Sequence, residues 1–226
     1  MSVVEFAQVS HAFGEREVLR DITLRLAEHR IGIVGANGSG KSTLARMING
    51  LVTPDVGRVT VDGLDVGRRG REVRRRVGFV FTNPDNQIVM PTVREDVAFT
   101  LRGRGLSAAE ISTRTDAALD RFGLAGHAEH PSHRLSGGQK QLLALAAVLV
   151  AEPAIVVADE PTTLLDARNG RRIGALLAGL PQQVIVVTHQ LELLPAFDRV
   201  IVIDEGRVAA DATPAVALAA YDALLA

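Results

Sequence analysis

Residues Gly35-Ala36-Asn37-Gly38-Ser39-Gly40-Lys41-Ser42 constrain this chain more than any other segment, because a short apolar run precedes them, Ile31 to Val34, and a helix-patterned run follows, Lys41 to Asn49. A buried strand that turns through closely spaced glycines into a helix is a cradle for phosphate oxygens. The glycines let backbone N–H groups converge on an anion, and the helix adds the positive end of its dipole. Gly35, Asn37, Gly38, Ser39, Gly40, Lys41, Ser42 and Thr43 are therefore candidate nucleotide-binding residues. Lys41 supplies a mobile positive charge for the β and γ phosphates, the Ser42 hydroxyl is a candidate magnesium ligand, and Thr43 supports the turn.

A second apolar run, Ile155 to Ala158, ends in the adjacent carboxylates Asp159 and Glu160, and a third, Val184 to Val187, leads to Thr188 and His189. Carboxylates at the C-terminal end of a buried strand suit a nucleoside triphosphate site: Asp159 can hold Mg2+ through water, and Glu160 can orient or deprotonate an attacking water. His189 is placed to hydrogen-bond the γ phosphate. Lys41, Glu160 and His189 are the candidate catalytic set, with ATP and Mg2+ the implied ligands.

The remaining pattern organises the chain around these elements. Residues 3 to 9 and 18 to 26 alternate as strands, with His11 to Glu17 expected to connect them; further strands are expected at 58 to 61 and 77 to 81, with Asp62-Gly63 a turn. A more helical middle follows Asn83-Pro84-Asp85. Ser107-Ala-Ala-Glu110 has capping-box spacing and opens a helix to about Phe122, and Ser136 opens another to Val150. A helix over 166 to 177, a hairpin around Gly206 and a closing helix over 214 to 225 complete the reading.

Composition narrows the function. The 25 Lys and Arg against 26 Asp and Glu give a net charge of −1, so no polyanionic partner is demanded. With no Cys, disulfides, thiolate nucleophiles and Cys-ligated metals are excluded. Glu5 within the first apolar stretch and the lack of a basic leader predict no export. The run Leu142 to Ala151 falls well short of the roughly 20 residues that span a bilayer. The arginines between Arg68 and Arg76 read as a solvated face, and His127, His130 and His133 are not read as a metal site, because Pro131 breaks their regularity. His133, next to the segment 135 to 139, is instead expected to help position it.

Leu135-Ser136-Gly137-Gly138-Gln139 resembles the signature of the ABC ATPases. The physical reading agrees, since Ser136 can cap a helix and Gly137 and Gly138 permit close approach to an anion. The resemblance covers nearly the whole chain. It implies an α/β fold: a P-loop NTPase core of ABC type with an N-terminal antiparallel β subdomain and an inserted α-helical signature subdomain. The nucleotide-binding lobe is expected at 1–81 and 154–226 and the signature lobe at 82–153. It further implies that Ser136, Gly137, Gly138 and Gln139 cap ATP held by a second ABC ATPase subunit, in a homodimer, that Asp166 links the two ATP sites, and that Phe13 stacks on adenine.

Asn83, Asp85, Gln87 and Met90, with Pro91-Thr92-Val93 and Glu95 to Phe99, look like the coupling region of energy-coupling factor importer ATPases. That resemblance implies a transmembrane coupling subunit, a substrate-binding membrane subunit, a location on the cytoplasmic face of the membrane, and uptake of a micronutrient. Glu28 to Ile33, without the usual glycine turn, looks like the biotin-importer subgroup. The sequence departs from the family at Thr82, where a Gln usually contacts magnesium and the attacking water; Thr82 is so short that it could reach the metal only through water or backbone movement. Other ABC importers or exporters, and ABC ATPases acting on nucleic acid or protein complexes, are the alternatives; no nucleic acid is expected here.

Overall fold

The computed structural model describes residues 2–225. The chain opens with β1 (Val4–Phe13) and β2 (Arg16–Leu26), followed by β3 (Arg30–Val34), α1 (Lys41–Ile48), β4 (Val56–Val61) and β5 (Leu64–Asp65). Next come α2 (Val66–Arg76), β6 (Val77–Val80), α3 (Val93–Leu101), α4 (Ala108–Phe122) and α5 (Gly137–Leu149). The chain closes with β7 (Ile155–Asp159), α6 (Ala167–Ala178), β8 (Gln183–Val187), β9 (Arg199–Asp204), β10 (Arg207–Ala212) and α7 (Pro214–Leu225). The residues fall into two compact units. One comprises, of the described residues, 2–79, Ala154–Glu160 and 174–225, the other Val80–Pro153 and Pro161–Ile173.

The first unit holds a four-stranded antiparallel sheet, ordered β2-β1-β4-β5, and a six-stranded sheet ordered β10-β9-β3-β8-β7-β6. In the larger sheet β9, β3, β8 and β7 run parallel. Every residue of β3, β7 and β8 is buried, which is why these strands read as unbroken apolar runs rather than alternating ones. Phe6, Leu19, Ile22, Ile31, Ile33 and Met47 are among the largest fully buried side chains here. The second unit is helical, with a core that includes Val97, Leu101, Leu119, Phe122 and Leu142 to Leu145.

One local expectation is corrected, and two helices lie where no element was expected. His11 to Glu17 is not a connection: β1 and β2 stay paired through Ala12 with Glu17 and Phe13 with Arg16, leaving a turn at Gly14-Glu15 in which Gly14 takes φ 62°. The arginine run forms α2, started by Asp65, whose side chain accepts the Arg68 N–H at 3.0 Å. The helix α3 was not resolved from the pattern, although Thr92-Val-Arg-Glu95 carries the capping-box spacing, and both of its reciprocal hydrogen bonds are made.

Candidate functional site

Glycine chemistry shapes the loop between β3 and α1. Gly35 has φ 149°, and a Cβ there would fall 2.0 Å from the Ile203 carbonyl oxygen; Gly40 has φ 104°, with a Cβ 2.7 Å from the Val18 carbonyl. Only glycine fits either position. The resulting turn, closed by Ser39 N–H to Ala36 O at 3.1 Å, delivers α1 with Lys41 at its first position. Ser39 Oγ is buried without a hydrogen-bond partner among the described residues, as expected of a hydroxyl lining an anion cradle.

Lys41 is 6% exposed, and its Nζ donates to the carbonyls of Gly35 and Ala36, both at 2.8 Å. Burial draws its ammonium below the usual lysine range, against the attraction of Glu160 and Asp159. One turn of α1 contributes two further groups. Ser42 Oγ donates to Asp159 Oδ1 at 2.7 Å, and Arg46 lies 3.3 Å from Asp159 Oδ2. Asp159 is fully buried at the end of β7; burial pushes its carboxyl up, while Ser42 and Arg46 pull the other way. A hydroxyl and a carboxylate side by side at the foot of a phosphate loop are the oxygen donors that magnesium prefers. The residues present therefore fit both ATP and Mg2+.

Glu160 follows Asp159 with φ 52°, left-handed for a non-glycine residue, a conformation that costs roughly 1–2 kcal/mol and turns its side chain away from the strand path. Its backbone N–H is held by Val187 O at 2.9 Å. His189 Nδ1 sits 2.8 Å from Glu160 Oε2, so the ends of β7 and β8 bring together two residues that lie 29 positions apart. Phe13, Arg16, Asn37, Gly38, Lys41, Ser42, Thr43 and Glu160 line one cavity of about 310 Å³. Phe13 is 56% exposed, with its ring edge-on to His11 at 4.7 Å. All the candidate nucleotide and catalytic residues of this unit thus share one neighbourhood.

The helical unit carries the remaining candidates. Ser136 caps α5: its Oγ accepts from Gln139 N at 3.3 Å, and Gln139 Oε1 accepts from Ser136 N at 2.9 Å. A Cβ on Gly137 would meet open space, and one on Gly138 would meet the Asn169 side chain at 2.9 Å. Asp166 accepts from the Asn169 backbone and side-chain amides, each at 2.8 Å, and the backbone bond chiefly holds its carboxyl below the usual range. In the segment after β6, Asn83 Oδ1 accepts the Asp85 N–H, Asp85 pairs with Lys140 at 2.7 Å, and Gln87 bridges Phe81 N and Ala144 O. Met90 and Thr82 are half-buried, and Val89 is 63% exposed.

Sequence reasoning missed Arg46, although it lies four residues after Ser42 on the same helix face, where a contact to a shared partner is expected. It also missed Asn169 against Gly138. His133 is exposed on its turn, and it is His127 that contacts Gln139, at 2.9 Å.

A buried parallel sheet, a glycine cradle opening a helix, and paired acids at a neighbouring strand end define a P-loop ATPase. The family model described as ABC transporter matches residues 19–163. A Deinococcus radiodurans protein named as an ABC transporter ATP-binding protein is 55% identical over 97% of this chain and 97% of its own length. A Rhizobium etli protein named as the biotin transport ATP-binding protein BioM is 47% identical over 96% of this chain and 97% of its own. The solved structure of CbiO1 from Clostridium perfringens, described as part of the ABC transporter complex CbiONQ, superposes with TM-score 0.84 at 34% identity, covering 96% of this chain and 90% of that one. The chain belongs to the ABC transporter ATP-binding family and is an ATPase coupled to transport. Its fold is the ABC-type P-loop α/β core with an antiparallel β subdomain and a helical segment.

Proposed function

We propose that this chain is the ATP-hydrolysing subunit of an energy-coupling factor importer that drives uptake of a micronutrient such as biotin. The observation that carries the ATPase chemistry is the cluster of Lys41, Ser42 bonded to Asp159, and Glu160 beside His189. The importer class and the solute are supported by the extent of likeness to a biotin transport ATP-binding protein and by the polar segment Asn83 to Met90. Among the described residues no helix is long and apolar enough to cross a membrane, so the translocation path belongs to other subunits.

In this reading the loop amides and Lys41 bind the phosphates, and Phe13 offers its exposed ring to adenine. Ser42 and Asp159 would hold Mg2+, which when bound neutralises charge on the phosphate oxygens. Glu160 orients or deprotonates the attacking water, and His189, within hydrogen-bond reach of Glu160, steadies that carboxylate and faces the γ phosphate. Ser136, Gly137, Gly138 and Gln139 approach the nucleotide of a second copy, with Asp166 between the two sites, so that ATP closes a head-to-tail homodimer. Asn83, Asp85, Gln87 and Met90 meet the membrane subunit on the cytoplasmic face.

The test is gentle solubilisation of membranes carrying the tagged chain, followed by identification of stoichiometric partners. A transmembrane coupling subunit with a small vitamin-binding membrane subunit is the expected result. A complex with nucleic acid and no membrane protein would overturn it, and an exporter partner would overturn the importer class alone.

A further inference from the structure

Gln139 is fixed at both ends of its amide. Its Oε1 must face the Ser136 backbone N–H, 2.9 Å away, because that N–H can only donate. Its NH2 group therefore faces His127 Nε2, also at 2.9 Å, and an NH2 facing a ring nitrogen requires that nitrogen to accept. His127 must then carry its proton on Nδ1, which lies 3.0 Å from Nδ1 of His130. His130 in turn accepts there and keeps its own proton on Nε2. The directions of all three bonds follow from one backbone amide.

We infer that His127 is a positioning residue for the ATPase reaction: with His130 behind it, it holds the Gln139 and Ser136 capping box in register only while both imidazoles are neutral. A second proton on His127 would set an N–H against the Gln139 NH2. A second proton on His130 would set an N–H against the one on His127 Nδ1. Either breaks one bond of the relay. His130 is exposed and His127 half-buried, so solvent protons reach the chain from the His130 end.

Most of the charged groups on the surrounding helices have partners of their own. Arg94 of α3 is held by Glu129 and Asp116, Lys140 of α5 by Asp85, and Arg114 of α4 lies 3.9 Å from Glu152. Arg121 of α4 lies over the Phe122 ring, and His133 and Arg134 are exposed on the adjoining turn. Neither His127 nor His130 makes an ion pair among the described residues, so the pH response follows from relay continuity. Because each ring must stay neutral for its bonds to hold, the relay is present on the alkaline side and is lost as protons are added.

This inference rests on the reading of Ser136 to Gln139 as a nucleotide-contacting segment, and its first test does not depend on that reading. Long-range 1H–15N spectra of the histidine-labelled full chain at pH 8 should show His127, assigned by its disappearance in His127→Gln, as the Nδ1–H tautomer. The Nε2–H tautomer would overturn the relay. The second test is steady-state ATP turnover between pH 6 and 8. Gln can accept from Gln139 without titrating, so His127→Gln should keep the pH 8 turnover and flatten the acid decline. His127→Leu should lower kcat about threefold at pH 8 with KM unchanged, the scale of one lost hydrogen bond. A relay seen by spectroscopy with identical profiles for all three proteins would remove the positioning role and leave a structural contact. An acid decline retained in His127→Gln would assign it to another group, such as His189.

Discussion

The two units of this molecule hold their candidate residues by different means. In the sheet unit the groups sit at the ends of fully buried strands, on glycines that no other residue could replace, and in a carboxylate that is 0% exposed. In the helical unit they sit on caps and surface pairs: the Ser136 and Gln139 box, Asn169 on Asp166, and Lys140 on Asp85. A site set into close-packed backbone is rigid and intolerant of change. One made of exposed polar contacts is adjustable, with each bond worth only about 1 kcal/mol. That division suits the proposed dimer, in which one copy grips ATP and the signature segment of the other closes on it and lets go.

The comparison breaks most sharply at Glu160. Glu160→Gln keeps the size and the left-handed backbone but removes the proposed base, and should lower kcat by about 10³-fold while ATP affinity holds within about twofold. A closed dimer should accumulate, visible as a doubled mass when ATP is added. Undiminished turnover would show that the acid beside His189 is not the one that handles water.

Lys41→Ala tests the buried grip. Removing a buried cation proposed to contact phosphates should weaken ATP binding by about 100-fold, read by equilibrium titration. The loop itself should survive, because its shape is set by Gly35 and Gly40 rather than by the lysine. If affinity fell by less than about fivefold, the phosphate cradle would be carried by backbone amides alone.

These residues show how much was legible beforehand. The glycine loop, the strand ends at Asp159 and His189 and the two helix starts at Ser107 and Ser136 are local patterns, and each was read from spacing. Arg46 on Asp159, Asn169 beneath Gly138 and His127 on Gln139 are meetings of side chains brought together by the fold, and spacing alone does not announce them. The helix α2 was obscured because its apolar face is only Val66 and Val73, too sparse to reveal a period among arginines. The β1–β2 turn was obscured because bulges between Phe6 and Ala12 break the alternation on which strand reading depends.

Position 82 probes a residue whose family counterpart is a longer amide. Thr82 has one oxygen on a short branched side chain, while Gln carries a longer chain ending in an amide. Thr82→Gln should raise turnover of the isolated ATPase by about tenfold, the scale of improved water positioning, and reduce the fold stimulation given by the membrane partner. Measuring both species together is essential. No change in either, with fold and ATP affinity intact, would remove position 82 from the catalytic account.

The smallest effect sharpens the comparison within the helical unit itself, because α4 and α5 begin with the same device. Ser107 Oγ accepts from Glu110 N at 3.3 Å, and Ser136 Oγ accepts from Gln139 N at the same distance. Each third-position side chain returns a bond to its cap, Glu110 at 2.8 Å and Gln139 at 2.9 Å. As helix caps the two serines make the same reciprocal pair of backbone bonds, Ser107 adding a bond donated to Glu110 Oε2 at 2.7 Å, and replacing either by alanine should cost about 1 kcal/mol, a fall in Tm of about 2–4 °C for a chain of this size. They differ in what lies beside them. Gly137 leaves open space next to Ser136, while Ala108 and Ala109 follow Ser107. Ser107→Ala should therefore lower Tm and leave turnover unchanged. Ser136→Ala should lower Tm by no more than that and reduce kcat by about threefold, the loss of the one hydrogen bond it is proposed to make to the nucleotide of a second copy. Equal turnover in the two variants would reduce Ser136 to a helix cap, and the adjustable surface would then have to be sought in the glycines alone.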